Sequence, residues 1–207
     1  GQSLTLAVEF TGVVQVAGTP TLALNVLPAR TATYASGAGT RTLNFVYVIQ
    51  AGDAVAKLDY AARTSLAAAN GAVTDGAGVT VPLLLPEIGV AGSLAGHKNL
   101  RIDTAAPAIA IAADTLALKS GEVTTLRFTL SEASIDFGVA DVTVTNGTLG
   151  GFAGSGASYT AVFTPAAGVM GEARVGVEAS RFSDAAGNGN VAGELRMTAD
   201  IAFAWAR

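Results

Sequence analysis

The sequence predicts an all-β protein, and three observations carry that prediction. Apolar residues alternate at every second position, turn formers interrupt the alternation at about ten-residue spacing, and no segment sustains a helical period. In Ser3–Phe10, the side chains of Leu4, Leu6, Val8 and Phe10 fall on one face, with Ser3, Thr5 and Glu9 on the other. Leu22, Leu24 and Val26 repeat the pattern, as do Leu43, Phe45, Tyr47 and Ile49. Further on come Leu126, Phe128 and Leu130, then Val142 and Val144, then Tyr159, Ala161 and Phe163, then Val175, Val177 and Ala179. Each run turns one side to a core and one to water, as antiparallel sheets do. Between the runs lie Ser36-Gly37-Ala38-Gly39, Asn70-Gly71, Asp75-Gly76, Asn146-Gly147, Gly154-Ser155-Gly156 and Gly187-Asn188-Gly189. Short strands closed by such turns are the pattern of a β-sandwich.

Composition narrows the function. Half of the 207 residues are hydrophobic and 14% are charged, so the chain can bury a core and is not disordered. The net charge is −4 and no basic run exists, which argues against nucleic acid as a partner. Cysteine is absent, and with it disulfides, thiolate metal sites and cysteine nucleophiles. The most apolar stretch, Val81 to Ala95, is broken by Pro82, Pro86 and Glu87, so no membrane insertion is expected. Gly1 replaces a starting Met and no signal peptide follows, which reads as a cut made inside a longer protein.

A boundary is expected at Asp103-Thr104-Ala105-Ala106-Pro107, because proline holds Ala106 extended and cannot continue a ladder. It divides the chain into modules 1–103 and 104–207. Two echoes cross it. Ser36-Gly-Ala-Gly before the Leu43 strand returns as Gly154-Ser-Gly-Ala before the Tyr159 strand, and Asp75-Gly-Ala-Gly returns as Asp184-Ala-Ala-Gly.

Nothing in the chain assembles a catalytic site. The one histidine, His97, reads as a surface loop residue, and no Gly-x-Ser-x-Gly elbow accompanies it. One histidine and no cysteine fall short of a zinc site, and the paired glycines lack the third glycine and helix of a phosphate loop. Asn146-Gly147-Thr148 fits a glycosylation acceptor, but an Asn-Gly turn between strands accounts for it better. The acids cluster in inter-strand loops rather than across a cleft, so the expectation is that the chain is not an enzyme.

Residues Leu130–Ser134, Asp141–Leu149 and Tyr159–Pro165, closed by Phe182-Ser183-Asp184-Ala185-Ala186-Gly187-Asn188, resemble a bacterial Ig-like repeat of large secreted adhesins, RTX-type and biofilm-associated proteins among them. Thr19–Asn25, Ala32–Tyr34, Gln50–Asp53, Leu58–Tyr60 and Ile102–Thr104 are similar to a related repeat of the same proteins. The resemblance implies two tandem immunoglobulin-like antiparallel sandwiches. The first would lack its opening strand, which such repeats carry before the position of Gly1. It also implies a secreted or cell-surface location, neighbouring Ig-like repeats as partners, and any host-surface or matrix ligand elsewhere in the full-length protein.

Calcium is the expected ion. The loop from Asp184 to Asn190 supplies carboxylate and amide oxygens at short spacing, and hard cations take six to eight of these. In an Ig-like topology Asp184, Asn188 and Glu132, the last in the B–C loop, gather where the chain enters the second module. Asp53 is expected at the far end of the first module and Asp103 in the linker. The five residues thus make a candidate calcium set, which the resemblance supports because adhesin repeats commonly bind calcium at their junctions. Ordinary turn chemistry is the competing account of the same residues. The corresponding loop of the first module, at Asp75, carries Val79 where the second has Asn188, and is expected to be vacant or weak. The function expected is a stalk segment that adds length and stiffness. The alternative is a module gripping a glycan or protein, for which Trp205, beyond the last strand, is the lone exposed aromatic candidate.

Overall fold

The computed structural model describes residues 1–119 and 121–200, with no side-chain description at Asp200; Trp205 lies outside them. The fold is all-β, and the chain divides into two compact units, Gly1–Ala105 and Ala106–Arg207.

The second unit is a sandwich. One sheet is ordered β13-β11-β9 and the other β10-β15-β14-β12, where β9 is Ile109–Ala113, β10 Ala117–Lys119, β11 Thr124–Ser134, β12 Val142–Thr145, β13 Gly147–Pro165, β14 Met170–Val177 and β15 Gly193–Asp200. β10 runs parallel to β15, while the other pairings are antiparallel. This is an immunoglobulin-like arrangement, with the A, B and E positions in one sheet and A′, G, F and C in the other. Alternation fills the space between the sheets. Leu126, Phe128, Phe163, Val175 and Val177 are buried, and Phe137 lies amid Phe128, Phe152, Tyr159 and Phe182, with ring centroids 4.9–6.0 Å apart.

β13 is one extended run but not one straight strand. The rings of Phe152 and Tyr159 stack 5.6 Å apart, whereas seven residues of straight strand would separate them by roughly 23 Å. The run doubles back at Gly154-Ser155-Gly156, so the expected turn is present. Gly154, at φ 142°, needs to be glycine: a Cβ there would stand 2.3 Å from the Ser158 carbonyl oxygen. Asn146-Gly147 differs from the hairpin turn expected. It joins β12 to β13, which belong to different sheets, so it is a corner of the sandwich.

The first unit is built on a six-stranded sheet, ordered β6-β2-β3-β4-β1-β7, from β1 Ser3–Ala17, β2 Thr21–Leu24, β3 Arg30–Ser36, β4 Thr40–Val48, β6 Leu66–Ala67 and β7 Ala72–Asp75. β5, Ala54–Val55, pairs β8, Ile102–Asp103. Leu58, Tyr60, Leu85 and Ile102 join the sheet residues Leu43, Phe45 and Val73 in one core. That second layer is largely irregular chain, pinned by bonds such as Leu58 N–H to Leu100 O at 2.7 Å and Tyr60 Oη to Pro86 O at 2.7 Å. A short helix, α1, spans Leu94–His97, and His97 is exposed.

The two units share a register signature. β1 pairs β4 through Glu9↔Thr42, slips, and resumes at Val14↔Thr40, and Val14 also faces Asp75. β11 pairs β13 through Thr129↔Ser158, slips equally, and resumes at Ser134↔Gly156, with Ser134 bridged to Asp184. β1 therefore occupies the place of β11, β4 that of the returning arm of β13, and Asp75 that of Asp184. The Gly-rich echo follows suit, since a Cβ at Gly37 would stand 2.0 Å from the Thr42 carbonyl oxygen, as Gly154 does against Ser158.

Candidate functional site

The candidate site residues of the second unit sit in and beside the long connection between β14 and β15. Asp184 is 3% exposed. Its Oδ1 accepts from the Ala186 and Asn188 backbone N–H groups, both at 2.8 Å, and its Oδ2 accepts from Asn188 Nδ2 at 2.8 Å. The Gly187 N–H donates to the Asp184 carbonyl at 3.1 Å, closing a turn whose glycine has φ 87°. Burial pushes the Asp184 carboxyl upward, but the Asn188 side chain and the three backbone N–H groups outweigh it, leaving it below the usual aspartate value.

Asp75 builds the same turn in the first unit. Its Oδ1 accepts from Ala77 N–H and Val79 N–H, both at 2.9 Å, and Gly78 N–H donates to its carbonyl at 3.1 Å. The Asp-x-x-Gly echo is thus a self-supporting loop in which the aspartate replaces missing backbone partners. What Asp184 adds is depth and the Asn188 amide, for which Val79 has no substitute.

Asn190 sits deeper still, 2% exposed. Its Nδ2 donates to the Glu178 and Val191 carbonyls at 2.9 and 2.8 Å, and its Oδ1 accepts from Arg181 and Phe182 N–H at 2.7 and 3.0 Å. It pins the connection to itself, so it serves as a staple where the sequence offered it as an ion ligand.

Glu132 lies inside β11 rather than in a B–C loop, because that strand continues to Ser134 through its register slip. Ser134 is bridged to Asp184, and Glu132 and Asp184 offer carboxylate oxygens within 4.8 Å of each other. Glu132, Asp184 and Asn188 therefore belong to one cluster within the second unit.

Asp53 is a correction. Its carboxylate is fully buried, with Oδ1 accepting from Arg30 Nε at 2.6 Å and Oδ2 from Gln50 N–H at 2.6 Å and from the Tyr47 hydroxyl. Arg30 neutralises the charge and the other donors complete its shell, so the group is spent inside the first unit and does not serve an ion. Burial raises the Asp53 carboxyl, and Tyr47, Gln50 and Arg30 together bring it below its ordinary value. Burial, reinforced by the hydrogen bond to Asp53, pushes the Tyr47 hydroxyl up to about 12. Asp103 is also placed differently. It ends β8 instead of lying in a linker, is ion-paired with Arg101, and accepts from Ala105 N–H at 3.1 Å.

Residues 103–201 match the family model of the bacterial Ig-like domain. The second unit is similar to that family over nearly its whole described length, in agreement with its strand order. Bacterial Ig-like domains are typically surface-exposed or extracellular, structural or binding modules and not enzymes, and no helix among the described residues is long and apolar enough to cross a membrane. No curated protein matches the chain.

Asp136 is a participant that the sequence reading passed over. Its Oδ1 accepts from Ser134 Oγ at 2.7 Å and Ser183 N–H at 2.9 Å, and its Oδ2 from Ser183 Oγ at 2.6 Å. Ser183 and then Ser134 hold this carboxyl down to about 2. Since the folded value lies below the ordinary aspartate value of 3.8, the stability it contributes is complete well above pH 4. It is lost as pH falls from about 4 toward 2. Asp136→Asn should therefore flatten the acid limb of the second unit's stability and cost about 1 kcal/mol at pH 7, the group being exposed. Urea midpoints collected from pH 2 to 7 check both parts.

Proposed function

We propose that the chain is a structural extender, a stretch of the stalk of a bacterial cell-surface adhesin, and that calcium held by Asp103, Glu132, Asp184 and Asn188 stiffens the junction between modules. The observation that carries the extender reading is the repeated frame. Two units with separate cores reproduce the same register slip and the same aspartate loop, which suits a part used for length. A shallow depression over Thr143, Gly176, Glu178 and Glu194 has no aromatic lining, so it offers no platform for a sugar ring.

The calcium reading is supported by chemistry within each unit. Glu132 and Asp184 set two like charges within 4.8 Å, an arrangement that a divalent cation relieves and that supplies hard oxygen donors. Asp184 Oδ2 is suited to a single direct bond, while Oδ1 remains committed to its turn. Asp103 precedes Pro107 by four residues, and Pro107 O is held by Val191 N–H at 3.0 Å on the same connection. Covalent geometry alone keeps Asp103 within about 14 Å of that point.

Extracellular modules of this kind bind calcium at roughly 10⁻⁴ to 10⁻³ M, so about 10 mM calcium should stabilise the protein by about 1.5–3 kcal/mol. Thermal melts with calcium against chelator measure this. Glu132→Gln, which leaves the Asp184 turn intact, should abolish the shift. A parent protein whose melting does not respond to calcium would rule the ion out while leaving the extender reading standing.

A further inference from the structure

Asparagine precedes glycine at Asn70, Asn146 and Asn188, and the fold treats the three pairs differently. In such a pair the glycine nitrogen can attack the preceding side-chain amide, because no Cβ shields it. A hydrogen bond on the amide holds the attack back, since the bond must first be given up.

Two of the pairs are held. Asn146 Nδ2 donates to Glu172 O at 2.8 Å, and a Cβ at Gly147 would stand 2.3 Å from the Phe163 ring, so this peptide lies against the core. Asn188 Nδ2 and its backbone N–H donate to the two carboxylate oxygens of Asp184, both at 2.8 Å. That carboxylate also opposes the loss of a proton from the Gly189 nitrogen.

Asn70 is placed otherwise. It follows Ala69 in a bend between β6 and β7, and the two have φ 57° and 35°, a left-handed conformation strained for residues with a Cβ. The Asn70 side chain is exposed and makes no hydrogen bond among the described residues. The Val73 carbonyl and the Asp75 N–H bond to Val81 and Val79, on the side of β7 away from β1. Alternation turns the Gly71 N–H to that same side, where none of the described residues accepts from it. Amide and nucleophile are therefore both unengaged.

We propose that Asn70-Gly71 is a site of self-modification, at which the bend slowly converts to aspartate and isoaspartate. The Gly71 nitrogen, on losing its proton, bonds to the Asn70 Cγ, and the side-chain nitrogen leaves as ammonia. Water then opens the five-membered imide. Attack at Cγ restores the ordinary chain as aspartate, while attack at the main-chain carbonyl routes the chain through Cβ and Cγ as isoaspartate. The sum is one water consumed and one ammonia released, with no oxidation or reduction. The isoaspartate form carries an extra main-chain carbon where there is no slack: a Cβ at Gly71 would already stand 1.9 Å from the Ala17 carbonyl oxygen. It should release β7 from β1, starting at the Ala17↔Ala72 pair. None of these residues belongs to the carboxylate cluster, so the inference is independent of the calcium reading.

The test keeps the full chain in mildly alkaline buffer, folded in one arm and unfolded in urea in the other. Trypsin places the three asparagines in separate peptides, and mass spectrometry reads the amide-to-acid exchange in each. In urea the three should react at similar rates. In the folded chain Asn70 should react at least about tenfold faster than Asn146 or Asn188. Asn70→Gln, whose longer side chain closes a ring poorly, should leave that peptide intact. In the isolated isoaspartate form the Ala17 and Ala72 amides should exchange at least about tenfold faster than in the parent. Asn70→Asp, which carries the charge on an ordinary chain, should exchange as the parent does. Equal folded rates at the three sites would overturn the assignment, and so would a folded Asn70 that stays intact while its unfolded counterpart reacts. Unchanged exchange in the isoaspartate form would overturn the link to β7.

Discussion

Asp53→Asn is expected to destabilise the first unit by about 3–5 kcal/mol, enough to separate its unfolding from that of the second unit. The magnitude follows from what the carboxylate does. Arg30 Nε, Gln50 N–H and the Tyr47 hydroxyl converge on one fully buried group. An asparagine amide has one acceptor oxygen, so its NH₂ is forced against at least one of these donors, and Arg30 loses its counter-charge. Tyr47→Phe removes one donor and leaves the ion pair, so its cost should be about 1–2 kcal/mol. Two-transition denaturant melts resolve the effect, with the second transition as an internal control. A loss below about 1 kcal/mol for Asp53→Asn would mean that the network adds little to the core around it.

Asp184→Ala should cost the second unit about 2–4 kcal/mol, and Asp75→Ala should cost the first unit about 1 kcal/mol. The two turns share their backbone bonds, so the gap between the variants isolates what differs. That difference is the Asn188 amide bond and the burial of Asp184 against the half-buried Asp75. Equal costs would show that the shared turn accounts for the whole effect. Because Asp184→Ala removes a turn as well as a charge, Glu132→Gln is the cleaner probe of ion binding.

Much of the fold was readable because it rests on period-two alternation, a local property. Leu43, Phe45 and Tyr47 announce β4, and Leu126, Phe128 and Leu130 announce β11, and all six are buried. The Asp-x-x-Gly echo was readable for the same reason, since the aspartate bonds to its own neighbours. What escaped depends on partners distant in sequence. Asp53 reads as a turn acid until Arg30 and Tyr47 fold onto it. Glu132 reads as a loop residue because nothing local reports that β11 runs past Leu130 through a register slip. Asp136 reads as an exposed acid, although Ser183, on a connection far along the chain, sets its charge. Asn190 looked like a ligand because amide oxygens suit cations, yet the connection it lies on uses all of its hydrogen-bonding capacity.

The extender reading makes a claim about length under extracellular conditions, and small-angle scattering measures length directly. Profiles of the full chain in millimolar calcium should give a larger maximum dimension and a narrower distance distribution than profiles in chelator, and Glu132→Gln should give the chelator profile in both. Superimposable profiles for the parent with and without calcium would contradict the calcium-stiffened junction.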